Sequence, residues 1–149
     1  MQDDPQISSS QAALIARGLF ALARVDGHEE REGMLIQSFW MDAVGPSRVH
    51  DLQAFSRETS FDTALLSSGL PSAEQRELFV RTGLMLCYAD GKMSPAEKTW
   101  LWDVGATLGF AAPAMDALDD AIRSYLLGQL SHLKNVDALR TVARELGLG

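Results

Sequence analysis

The chain has a single cysteine and five prolines in 149 residues. It also lacks any uncharged apolar run near the roughly 18 to 20 residues that a membrane span needs. One cysteine excludes an internal disulfide, and Cys87 sits within an apolar helical run where small buried thiols are common. The start, Met1-Gln2-Asp3-Asp4-Pro5, has neither the basic end nor the apolar centre of a signal peptide. Together these absences predict a cytoplasmic protein with no direct membrane insertion. Val, Ile and Thr are sparse beside Ala and Leu, which disfavours strands. Basic residues are outnumbered too: 13 Lys and Arg against 20 Asp and Glu give a net charge of −7. Nucleic-acid affinity rests on clustered Lys and Arg, so no nucleic-acid partner is expected. Phosphate loops, dinucleotide fingerprints, nucleophile elbows and histidine–glutamate zinc motifs are all missing. Cys87 has no sequence-local base. The chain is therefore expected not to be an enzyme.

What is present reads as helix. With 46% hydrophobic and 22% charged residues, the composition is that of a globular domain. Residues 1–9 are expected to be a flexible N-terminus and residues 10–149 one all-α domain, a bundle of about seven helices. Ser10 is expected to cap a first helix to about Val25, with Leu14, Ile15, Gly18, Leu19 and Leu22 as its apolar stripe. A second runs from about Glu29 to Ala43, a third from Ser47 to Arg57, and a short helix or turn ends at Gly69-Leu70-Pro71. Ser72-Ala73-Glu74-Gln75 is a capping-box pattern opening a helix to about Tyr88. Ser94-Pro95-Ala96-Glu97 adds proline at the first helical position and opens a helix to Leu108, stopped by Gly109. Two more are expected, from Pro113 to Leu127 with Gly128 as the stop, and from Val136 to Leu146. Trp100 and Trp102 cannot share one face, because two residues along a helix turn about 200°. One of them is expected to be exposed.

A partial internal duplication organises this pattern. The apolar runs that begin Gly18-Leu19 and Gly83-Leu84 end at Asp26-Gly27 and Asp90-Gly91, and each is followed by a charged helix start. Gly18 and Gly83 take matching places and predict close helix–helix approach. The acidic excess lies in the first half, where residues 1–75 carry 11 acids and 5 bases. The second turn superficially fits the later half of an EF-hand loop. Its first half fails, since Leu86 and Tyr88 would stand where calcium-ligating aspartates belong.

The stretch Ala89-Asp90-Gly91-Lys92-Met93-Ser94-Pro95-Ala96-Glu97, with its looser counterpart at Val25-Asp26-Gly27 through Glu32, resembles the tellurite-resistance TerB family over about residues 10–110. The resemblance implies a TerB-like helical fold with two acidic clusters suggested to bind a divalent metal ion (calcium, manganese or zinc). It also implies a stress-linked role beside a protein partner. By motif position the metal residues would be Asp90 and Glu97 in the second turn, with Asp26 and Glu32 in the first. His28 beside them would add a nitrogen ligand suited to zinc or manganese. The residues themselves keep a plainer alternative open. Asp90 can accept hydrogen bonds within its own turn, and Glu97 fits the third position of a capping box with Ser94. A further alternative is a small-molecule-binding or enzymatic domain with a pocket between the repeats.

Overall fold

Ser8, Ser72 and Ser94 each begin a helix in the same way. The serine hydroxyl accepts the backbone N–H of the residue three places on, and that residue's side chain accepts the serine's own N–H. Reciprocal capping of this kind satisfies two of the donors every helix start leaves open, and the serine is worth about 1 kcal/mol. The computed structural model describes residues 6–26, 30–45, 48, 51–58, 60–89 and 92–130, without the side chains of 26, 30–32 and 129–130. Along these run α1 (Ser9–Ala23), a 3-10 turn (Arg24–Asp26), α2 (Glu30–Val44), α3 (Asp51–Ser56), α4 (Ala64–Gly69), α5 (Ala73–Cys87), α6 (Pro95–Thr107) and α7 (Ala112–Leu130). No strand occurs among the described residues, and the molecule is an all-α single-domain bundle. The segment from Val136 to Leu146 lies outside the described residues.

Three helix ends differ from the sequence reading: the third helix begins at Asp51 and not Ser47, and two others are explained by local chemistry. The first cap is Ser8 and not Ser10, because only Ser8 has a glutamine, Gln11, at the spacing the box needs. α7 continues through Gly128 to Leu130. A lone glycine costs a helix about 1 kcal/mol without stopping it unless the chain turns left-handed there. The positive φ angles among the described residues fall instead at Gly45 (94°) and Gly109 (97°). Gly109 ends α6 with two bonds: Phe110 N–H to Gly105 O at 2.8 Å and Gly109 N–H to Ala106 O at 3.1 Å. This is the arrangement expected of a left-handed helix terminus.

α1 is the centre of the bundle and touches α2, α3, α4, α5 and α6. Its sequence carries one charge in fifteen residues, and Ala12, Ile15, Ala16, Leu19, Leu22 and Ala23 are all buried. A helix apolar on more than one face has to be surrounded. α5 packs beside it, with Phe79 against Gly18, and buries Val80 and Leu84 as well. Both expected close approaches occur. A Cβ on Gly18 would lie 2.8 Å from Phe79 Cε1, and one on Gly83 would lie 3.3 Å from Leu101 Cδ1.

α1 and α5 begin 64 residues apart and end 64 residues apart. That spacing pairs Ser8 with Ser72, Gln11 with Gln75, and Asp26-Gly27 with Asp90-Gly91. It sets Gly83 opposite Leu19, one residue away from the Gly18 match read from the sequence.

Candidate functional site

The second acidic turn is built from the end of α5 and the start of α6. Ser94 N–H donates to Glu97 Oε1 at 2.9 Å, and Glu97 N–H donates to Ser94 Oγ at 3.1 Å. Glu97 is 4% exposed, the one charged residue buried in the described core. Its carboxylate is thus held inside the protein by the helix start it caps. At the other side of the turn, Tyr88 Oη donates to Asp119 Oδ1 of α7 at 2.7 Å. Burial, and then the bond to Asp119, hold the Tyr88 phenol above its ordinary ionisation range. Cys87 beside it is fully buried.

The other sequence-assigned metal residues are only partly placed. Asp90, Gly91 and His28 lie outside the described residues. Asp26 falls in the 3-10 turn after α1 and Glu32 in the first turn of α2, each by its backbone alone. Among the described residues, no three His, Cys, Asp or Glu side chains gather where they could hold a metal ion.

The tryptophans differ from expectation. Trp100 and Trp102 are both half-buried, so neither is the exposed ring the sequence pattern called for. Trp102 Nε1 donates to Asp116 Oδ1 at 3.1 Å, and Lys98 Nζ lies 5.3 Å from its ring centre. Trp40 is fully buried and donates to Arg48 O at 2.8 Å, with Phe55 edge-on at 5.4 Å. The exposed large apolar side chains in the described part are Met34, Met41, Leu65, Tyr125 and Leu127.

A groove lies between α2 and α5, one helix from each repeat, and its lining residues were not foreseen. Its volume is about 480 Å³, and Leu35, Phe39, Leu78 and Met85 form apolar walls while Arg81 and Asp42 bring charge. Ile7 also lines it. Arg81 Nε lies 3.5 Å from Glu77 Oε2, one turn earlier on α5. The available signal was the breadth of the α2 pattern. Met34-Leu35-Ile36 and Phe39-Trp40-Met41 cover a wider arc than one buried stripe, and only Ile36 and Trp40 are fully buried.

No helix among the described residues is long and apolar enough to cross a membrane. Comparison with protein-family models, curated proteins and solved structures gave no match.

Proposed function

We propose that the chain is a non-enzymatic, TerB-like helical binding module of a stress-linked kind, working through a protein partner and, at its acidic turns, a divalent metal ion. The carrying observation is the equal 64-residue spacing of two capped fifteen-residue helices, each leading to an Asp-Gly turn. That spacing supports the duplicated architecture on which the TerB resemblance rests. Of the two binding roles, the partner role has the better support. The buried carboxylate of Glu97 is engaged in capping α6, and a hard cation wants six or more oxygens.

The ion half is tested by thermal melting with calcium, manganese and zinc. A cation bound only to the native state at 100 times its dissociation constant adds about 2.7 kcal/mol. Asp90→Asn and Glu97→Gln should each remove most of that rise if Asp26, Glu32, Asp90 and Glu97 are ligands. A melting curve indifferent to all three ions at millimolar levels would leave the partner role alone.

A second reading draws on the groove. A cavity of about 480 Å³ between the first and second helix pairs falls within the usual size of small-molecule sites. Saturable thermal stabilisation by a small ligand, abolished by Phe39→Trp filling the groove, would establish it in place of the module reading.

A further inference from the structure

α2 faces the core through Ile36 and Trp40, both fully buried, and leaves two methionines outside. Met34 is 64% exposed, the largest value among the exposed apolar side chains of the described residues, and Met41 is 37% exposed. Seven residues make almost two turns, so the two thioethers share one edge of the helix. Between them stand Gln37, whose Nε2 donates to Met41 Sδ at 3.9 Å, and Ser38, which lines the α2–α5 groove. The other described methionines are better shielded. Met85 and Met93 are half-buried, and Met115 is fully buried with its sulfur beside Gly105.

A thiol must ionise before it reacts, whereas a thioether needs neither ionisation nor a neighbouring base. Exposure therefore governs which methionine a peroxide reaches. We infer that Met34, with Met41 as its slower companion, is a peroxide-modification site on the outside of α2. The O–O bond of hydrogen peroxide breaks, one oxygen joins the sulfur as a sulfoxide, and the other leaves as water. The sulfur gives up the two electrons that the peroxide gains. The product is a polar side chain, and methionine sulfoxide reductases reverse it. Met34 lies outside the apolar core, so the fold tolerates the added oxygen there. At Met115 the same oxygen would enter close-packed surroundings and disrupt them. The Gln37 amide occupies the Met41 sulfur and slows its reaction. Oxidation thus turns an apolar edge beside the groove polar while the bundle stays folded. The inference rests on neither the metal nor the partner reading, and its failure would leave both standing.

The test treats the full chain with increasing hydrogen peroxide, quenches and digests it, and quantifies the sulfoxide of each methionine by peptide mass spectrometry. Met34 should react first, Met41 next and Met115 last. Met34 should outpace Met115 by about tenfold or more, since a buried sulfur is reached only through local opening. The chain oxidised at Met34 should keep its melting temperature, and a methionine sulfoxide reductase should return it to the starting mass. Met34→Gln, polar and unbranched like the sulfoxide, should melt with the wild type. Equal rates at Met34 and Met115 overturn the inference. A clear fall in melting temperature on Met34 oxidation or in Met34→Gln also overturns it, because the modification would then be damage to the fold. So does a Met34 sulfoxide that the reductase leaves in place.

Discussion

α1 and α5 meet at their starts, where each opens on the same serine–glutamine capping box, and their next residues differ. Gln11 and Gln75, the third residues of the two helices, exchange side-chain bonds at 3.3 Å. Each also reaches the segment ahead of the other helix, Gln11 to Gly69 O at 3.1 Å and Gln75 to Gln6 O at 3.0 Å. One residue further on, the likeness breaks. α1 has Ala12, fully buried, where α5 has Arg76. Arg76 donates to Leu70 O, Ser67 O and Leu108 O at 2.7, 2.9 and 3.2 Å, tying the ends of α4 and α6 to α5. The contrast teaches that matched positions keep their chemistry where the two halves touch each other. They lose it at the next residue, where Ala12 is buried apolar surface and Arg76 instead ties the ends of α4 and α6 to α5.

The sharpest way to break that comparison is Arg76→Met. It leaves three carbonyls at helix ends without their cation, and bonds to charged groups contribute roughly 1.5–3 kcal/mol each before losses overlap. The expected cost is on the order of 3 kcal/mol, read as a lower urea midpoint with an unchanged slope. A loss below about 1 kcal/mol would mean that water replaces the guanidinium and that Arg76 does not organise the second half.

Tyr88 stands where the first half has Arg24; the two cap N–H groups bond alike, two and four residues back, and only the side chains differ. Tyr88→Phe removes the bond to Asp119 and should cost about 2 kcal/mol near neutral pH, as for other bonds to charged groups. It should also change the alkaline limb of the stability curve. The phenol is raised by burial and by Asp119, so above about pH 10 the unfolded state gives up a proton that the native state keeps. With fewer protons bound when unfolded, stability falls as pH rises past that point. The Tyr88→Phe protein should lose this part of the fall. Parallel alkaline limbs for the two proteins would show that Tyr88 titrates alike in both states.

Gly18 and Gly83 sharpen the comparison further. Alanine gains up to about 1 kcal/mol of helix propensity over glycine, while overpacking costs about 1–3. At Gly18 the new methyl would press on the fully buried Phe79 ring at 2.8 and 3.1 Å. At Gly83 it would meet Leu101 and Leu22 at 3.3 and 3.4 Å. Gly18→Ala should therefore destabilise by about 1 kcal/mol and Gly83→Ala by close to nothing. Equal losses in thermal unfolding would contradict the one-residue difference in register.

Legibility in the sequence followed the range of the interaction. Ser72 and Ser94 could be read as caps because the partner lies three residues away. In the run Ser8-Ser9-Ser10 three hydroxyls compete, and only the spacing to Gln11 separates them. The helix α1 was legible from its apolar stripe, but its central place came only with the contacts it makes to α2 through α6. Arg76 was not, since its acceptors lie 6, 9 and 32 residues away and nothing local marks them. The groove was hidden for a related reason. Leu35 and Phe39 stand beside the fully buried Ile36 and Trp40 in the α2 sequence, and only the gap between α2 and α5 sets them apart.

The smallest expected effect lies just past the acidic turns, where the residues that open the next helix differ between the two halves. The 64-residue spacing sets Glu97 opposite Gly33, so α2 has no acid in the place where α6 buries one. Glu97→Gln keeps an oxygen to accept Ser94 N–H at the cap and removes only the charge near the positive end of α6. If capping is its role, the cost should be about 0.5 kcal/mol, against about 1 for Ser94→Ala, which removes the hydroxyl that Glu97 N–H donates to. Adding the acid to the first half, as Gly33→Glu, should bring no capping bond, because Glu30 and not serine precedes it by three residues. A Glu97→Gln loss well above that of Ser94→Ala, shrinking as calcium is withdrawn, would contradict the capping account. It would return the buried carboxylate to the metal reading.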